Sequence, residues 1–285
     1  MNNISVQEWR NLSAARIFLK CMPDGEIDLW SRLTSKKLIA AGKAPTSHEE
    51  MSMFAACLLA VTQVPKKGGI VWAFDENDDG LFPAPSLGRH GLKHWWFKEI
   101  YAHWEYAELP PGVSEDETMD TYWRTDQLIH CFNEHYRKNF DHGWKVTCDE
   151  RIFWGFMRNQ PGGGHLCARK PCGFGPEYKC LSAVGINVTT TFEHVCNAKH
   201  NKTRKYTKEY GAGAACVLRL CEASGIQGSE QIVVCDSWFG GIRLPLGLRK
   251  IGLHSISMIK TGSSGYRSEE RRVGKECRSR WSPYH

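Results

Sequence analysis

The sequence predicts an α/β fold, a mixed β-sheet in the second half of the chain behind a mainly helical first half. Two stretches carry this reading. In Gln231–Phe239, QIVVCDSWF, residues Ile232 to Cys235 run apolar without alternation, between the turn signals Gly228 and Gly240-Gly241. A short β-branched run of this kind reads as a strand buried on both faces, as at the centre of a parallel sheet. Trp144–Ile152, WKVTCDERI, carries a second such run. Each run leads into an acid, Asp236 and Asp149, and in open α/β sheets ligands collect at the carboxyl ends of strands. Each acid is therefore a candidate metal ligand, with a helix N-cap or a solvated turn acid as the competing structural reading.

Composition bounds the function. A chain of 285 residues with 41% hydrophobic content can build one large or two moderate domains. A formal net charge of +6 permits nucleic-acid contact without requiring it. The 12 cysteines are scattered with no Cys-x-x-Cys, and MNNISVQEWRNLS has neither the charged nor the apolar part of a signal peptide. Reduced thiols in a soluble intracellular protein are expected. The longest apolar run, Met53–Val61, is far short of the roughly 20 residues that cross a bilayer.

Taken in order, residues 1–45 read as an N-terminal extension in which Gly42 and Pro45 suggest a loop. A helix is expected over His48–Thr62, opened by Ser47 as N-cap with Glu49 and Glu50 in the first turn. Its apolar positions Met53, Cys57, Leu58 and Val61 keep helical spacing. Lys66–Gly69 ends it, and Ile70–Phe74 is a short strand candidate. Asp75–Asp79, DENDD, lacks the closing Glu of a calcium loop and reads better as a solvated acidic turn. Trp96, Ile100 and Trp104 form one helical stripe, more in keeping with core than with a base-stacking platform. The loop Leu109–Thr118 separates this helix from the next, Thr121–Phe140, where Leu128, Phe132 and Tyr136 recur with Ile129 beside them and Gly143 closes the segment.

The second half, 144–261, adds strands at Glu177–Val188 and Thr190–Cys196. A helix at Tyr210–Ala223 points Tyr210, Ala214, Val217, Leu218 and Cys221 at the sheet, with Gly225 at its C′ position. Leu244, Leu248 and Ile251 do the same on a further helix, and His254–Lys260 is the last strand. This order is the connectivity of the ribonuclease-H-like fold, whose first and fourth strands are parallel neighbours. Asp149 and Asp236 would then lie side by side, as a pair that shares two divalent cations about 3.5–4 Å apart requires. Arg158, Arg169, Lys170 and Lys179 follow the first acid and are expected in the turn and second strand beside Asp149. The run Lys199–Lys208, KHNKTRKYTK, places Lys199, Lys202, Arg204, Lys205 and Lys208 around Tyr206 with no acid among them. It is either a phosphate-contacting loop or a solvated hairpin tip. Glu150 points to the opposite face from Asp149. Cys167, Cys172 and Cys180 with His165 fit no common zinc module, and His142 and His194 show no partner in the sequence.

CDERIFWGF at Cys148–Phe156, paired with VVCDSWFGGIRLPLGL at Val233–Leu248, resembles the piggyBac-type transposases and their domesticated derivatives. ARKPCGFGPEYKC at Ala168–Cys180, GRHGLKHWWFKEIYAHWEYAE at Gly88–Glu108 and the DQLIHCFNEHYRKNF helix are similar to further parts of that family, and the resemblance runs from Thr46 to Thr261. It implies metal-dependent cut-and-paste DNA cleavage and strand transfer in the parent protein, with Asp149 and Asp236 as the first two of three catalytic aspartates that hold Mg²⁺. It also implies DNA (transposon ends and target) as partner, a homodimer, action in the nucleus, and a DNA-binding or dimerisation role for residues 46–143. The family's third acid lies well beyond Lys260 and has no counterpart here, so cutting is expected to be lost in this chain. The family's C-terminal zinc domain also has no counterpart. The alternative is a domesticated DNA-binding or interaction protein without catalysis. A ribonuclease-H-like nuclease unrelated to transposition fits the helical first half less well.

From Thr261 the sequence TGSSGYRSEERRVGKECRSRWSPYH loses apolar periodicity and resembles translated vector or library sequence. On that reading the natural frame is truncated at a junction near Thr261. The alternative is a native basic tail. Sequencing the genomic locus through this junction is expected to show a different continuation, and an uninterrupted native frame would reject the artefact.

Overall fold

The computed structural model describes residues 11–63, 86–109, 123–152, 174–195 and 198–259, with 8, 71, 73–75, 112 and 165–166 as short pieces. The chain forms two compact units, Met22–Met119 and Met1–Cys21 with Asp120–His285. The expected boundaries near residues 45 and 143 therefore do not coincide with this division. Among the described residues no helix is long and apolar enough to cross a membrane.

The loop suggested by Gly42 and Pro45 is present at residues 41–47, and the described part of the chain before it is mainly helical. It holds helices α1 (Ala14–Cys21) and α2 (Glu26–Ala40). Helix α2 buries Trp30, Leu33 and Leu38, yet begins after Gly25 at φ 77° with no side-chain cap, so the usual start signal is missing. Helix α3 (His48–Gln63) begins where Ser47 predicted. The Glu50 N–H donates to Ser47 Oγ at 3.2 Å and the Ser47 N–H donates to Glu50 Oε2 at 3.0 Å, a reciprocal capping box. Val71 and Ala73 have helical backbone, so the strand expected over Ile70–Phe74 is not formed where it is described. A run that short cannot separate strand from helix by periodicity. Helix α4 (His94–His103) buries Trp96 and Ile100 as core. Trp104 follows the helix end and packs its ring 5.5 Å from Trp30 and 5.4 Å from Phe54. Of the acidic run only Asp75 is described, and most of Leu109–Thr118 lies outside the described residues.

The other unit opens, after α1, with α5 (Trp123–Asn139) and β1 (Lys145–Ile152). A two-residue hairpin, β2 (His165–Leu166) against β3 (Phe174–Gly175), has no counterpart in the sequence reading. Strands β4 (Glu177–Ala183) and β5 (Val188–His194) flank a turn in which Asn187 takes φ 55°. The basic run is not a hairpin tip, and only residues 204–206 within it form a turn. It forms α6 (Ala198–Thr203) and α7 (Thr207–Tyr210), ahead of α8 (Ala212–Ser224). Strand β6 (Ile232–Cys235), helix α9 (Arg243–Lys250) and β7 (His254–Ser257) complete the described chain, and the tail from Lys260 lies outside it.

The sheet order is β5-β4-β1-β6-β7, antiparallel on the β4 side of β1 and parallel on the β6 side. This is the expected mixed sheet, with the first and fourth predicted strands as parallel neighbours. Helix α8 lays Val217, Leu218, Leu220 and Cys221 over Val146, Cys148, Leu181, Val233 and Cys235 in one core, joined by Leu244 and Leu248 of α9. Gly225 ends α8 at φ 71°, and its N–H donates the closing bonds to the Cys221 and Glu222 carbonyls, as expected.

Helix α5 belongs with the sheet because it covers the sheet's free edge. Tyr136 and Phe140 pack on Ala183 and Ile186, with Phe192 alongside. The buried Asn133 amide donates to the Phe192 carbonyl at 2.9 Å and accepts the Phe192 N–H at 2.8 Å. A side chain thus takes the place of a neighbouring strand on an exposed edge. Asn133→Ala would leave both backbone groups without a partner. It is expected to cost about 2–4 kcal/mol, read as a lowered urea midpoint, while Asn133→Gln should recover part of it.

Candidate active site

In the parallel pairing of β1 with β6, Lys145 faces Ile232 and each later residue follows in step to Cys148 opposite Cys235. The next residues in this register are Asp149 and Asp236. Val146 and Cys148 face α8, as do Val233 and Cys235. Side chains alternate along a strand, so the two acids fall together on the opposite face, and both are exposed. On its other side Asp149 lies opposite Cys180 of β4.

Local bonds orient both carboxylates. Asp149 Oδ1 accepts the Glu150 N–H at 2.8 Å. Asp236 Oδ1 accepts the Trp238 N–H at 2.8 Å and the Phe239 N–H at 3.4 Å. The capping role weighed against a functional one for Asp236 is therefore present, and the two are compatible because each carboxylate has a second oxygen. The turn that follows is held by close backbone contacts. A Cβ on Gly213 would lie 2.4 Å from the Trp238 carbonyl oxygen, and one on Gly240 would lie 2.3 Å from that of Met258. Only glycines allow α8, the turn and the end of β7 to approach this closely.

The basic residues separate into two groups. Lys179 is 4% exposed. Its ammonium donates to Glu177 at 2.6 Å, lies 3.8 Å from Glu150, and sits over the rings of Trp238 at 3.7 Å and Phe239 at 5.2 Å. Arg204 donates to Glu193 at 2.9 Å and to the His194 carbonyl at 2.8 Å, and Arg219 forks onto the same Glu193 at 2.7 Å. Lys179 and Arg204, both expected to face DNA phosphates, thus make these contacts with carboxylates and a carbonyl of the chain itself. Lys202, Lys205 and Lys208 are exposed, and Lys205 pairs with Glu222 at 2.5 Å. Lys199 lies in α6, while Arg158, Arg169 and Lys170 lie outside the described residues. A cavity of about 190 Å³ joins the two regions, with Trp238 on one side and Asn201, Arg204 and Thr207 on the other. Arg151, two residues past Asp149 on the same face, is exposed and was not singled out in the sequence. Strand alternation alone would have placed it there.

Other chemistry is weaker. Burial pushes the thiols of Cys148 and Cys216 well up, that of Cys221 to about 12, and those of Cys180 and Cys235 to about 11. They stay protonated at neutral pH and are unsuited to nucleophilic work. Cys167 and Cys172 lie outside the described residues. Among the described residues no group of three or more His, Cys, Asp or Glu is placed to hold a metal. His142 is buried and shifted down by desolvation, and the His194 ring lies tilted against Tyr178 with centroids 5.1 Å apart.

The family model described as Transposase IS4 matches residues 13–270. A solved structure, the cryo-EM synaptic complex of piggyBac transposase with hairpin DNA, superposes with a TM-score of 0.71 at 15% sequence identity. The match covers 92% of this chain and 54% of that one, so the chain spans about half the length of the solved relative, and at this identity the likeness is one of fold. No curated protein matches the sequence. Gly240→Ala is expected to displace the turn after Asp236 and to cost about 1–3 kcal/mol. Denaturation measures the cost, and a changed amide shift at Trp238 reports the displacement.

Proposed function

Because the chain belongs to the family described as Transposase IS4, we propose that it carries the ion-binding carboxylates of a metal-dependent cut-and-paste DNA transposase. The observation that supports this reading is the parallel register of β1 and β6, which pairs Cys148 with Cys235 and leaves Asp149 and Asp236 as the next residues of the two segments. Two exposed carboxylates form a hard oxygen donor set, while the Cys180 thiol opposite Asp149 is kept protonated by burial. Such a set suits Mg²⁺ or Mn²⁺. When bound, Mg²⁺ supplies the positive charge that activates an oxygen nucleophile and steadies the leaving oxygen at phosphorus.

The chain's own residues do the positioning. Asp149 and Asp236 hold the ions, and the Trp238 and Phe239 N–H groups fix how the Asp236 carboxylate is turned. Lys202 and Lys208, exposed on α6 and α7, neutralise backbone phosphates, with Lys199, Lys205, Arg158, Arg169 and Lys170 in the same role. Such contacts fix the DNA in place without reading its sequence. The synaptic DNA complex of the solved relative favours DNA as the partner here, with transposon ends and target as its forms. Joining two ends calls for a homodimer, and work on chromosomal DNA places the activity in the nucleus. The activity of a protein about twice this length is part of the proposal. A two-carboxylate site binds ions more weakly than a three-carboxylate one, so ion binding is the more direct test than turnover.

Titration of the 285-residue chain with Mn²⁺ should give a saturable heat that Asp149→Ala and Asp236→Ala each remove. Any Mg²⁺-dependent nicking of supercoiled DNA should vanish with it. Equal binding and equal nicking in all three chains would take these acids out of the reaction. DNA binding without Mn²⁺ binding would favour a non-catalytic derivative.

A further inference from the structure

Lys179 raises a question that phosphate contact does not answer. An ammonium taken out of water is expensive unless every donor is used, and this one is held by three separate pieces of the chain. Glu177 on its own strand accepts at 2.6 Å, Glu150 on β1 lies at 3.8 Å, and the turn after β6 presents the Trp238 ring at 3.7 Å. Two of these partners adjoin the candidate ligands. Glu150 follows Asp149 directly, and the Trp238 N–H is bonded to Asp236 Oδ1.

We propose that Lys179 is a positioning residue, a buried cation that ties the segment bearing Asp149 to the turn bearing Asp236 and so sets the two carboxylates for ion binding. The inference rests on the function proposed above and adds a residue to it. Packing alone does not fix the Trp238 ring within the turn, because it is 45% exposed and borders the cavity of about 190 Å³. With one ring face over the ammonium, the indole is fixed by cation–π attraction, which strengthens where water is excluded. A neutral side chain of the same length would fill the space, yet it would attract neither the ring nor Glu150. The clamp acts from the helix-covered face of the sheet while the carboxylates stand on the other, so Lys179 orients the ligands without touching the ions. Such supporting groups orient metal ligands and tune their affinity.

The test uses the full 285-residue chain. Lys179→Met should speed amide hydrogen exchange at Trp238 and Phe239 by about tenfold or more, leaving β1 and β6 protected. It should weaken Mn²⁺ binding roughly tenfold to a hundredfold. Trp238→Leu should reproduce the Mn²⁺ loss, and adding Lys179→Met to it should cost little more, because both remove one interaction. Trp238→Phe, which keeps a ring for the cation, should restore much of the affinity. If Lys179→Met loses protection throughout the sheet, Trp238→Leu, which removes only a half-exposed ring, carries the test. Unchanged Mn²⁺ affinity in a folded variant, in a chain whose wild type binds Mn²⁺, would overturn the proposal, as would unchanged exchange at Trp238 and Phe239. A wild-type chain that binds no Mn²⁺ would instead overturn the function proposed above. The amide exchange would then decide by itself whether Lys179 holds the turn.

Discussion

The parallel register between β1 and β6 is the constraint on which the candidate site depends. Val146 opposite Val233 and Cys148 opposite Cys235 are buried against α8, so the pairing is set by the core. Side chains repeat with a period of two, so a slip of one residue in β1 would send Asp149 under the helices and lift Cys148 into solvent. An unpaired carboxylate in that core would cost several kcal/mol or be neutralised. The apolar face therefore selects the register, and the register brings the acids together.

Antiparallel pairing on the other side of β1 has a different consequence. It places Lys179 of β4 opposite Glu150, and β5 then places Glu193 opposite Lys179. The helix-covered face thus holds a line of alternating charges, extended by Arg204 and Arg219. Replacing such pairs with apolar residues is often neutral or stabilising in other proteins. What these pairs offer here is direction: each joins segments that a nonspecific apolar contact would let slide.

The division among basic residues follows from the same geometry. Charge count and sequence proximity to Asp149 do not reveal which cations are turned inward. Lys179 and Arg204 lie within hydrogen-bonding reach of Glu177 and Glu193, while Lys202 and Lys208 stand exposed on short helices. Attraction of an anionic partner acts through exposed charge, so the net charge overstates what is available for it.

Much of the architecture was legible because local signals were strong. The two apolar runs ending in Asp149 and Asp236, the Ser47 start of α3 and the Gly225 stop of α8 are short-range features, and the strand and helix order followed from them. Helix α2 was not legible, since it starts at Gly25 without a side-chain cap, and the strand expected at Ile70–Phe74 was too short for its period to decide. Local sequence by itself determined which residues could be strand-end acids and which segments had an apolar face, because both depend on neighbours along the chain. Only the tertiary structure decided that α5 edges the sheet, that most of the basic run is helical, and that Lys179 sits beneath Trp238. Those contacts join residues far apart in sequence, and their geometry comes from how the sheet and helices pack.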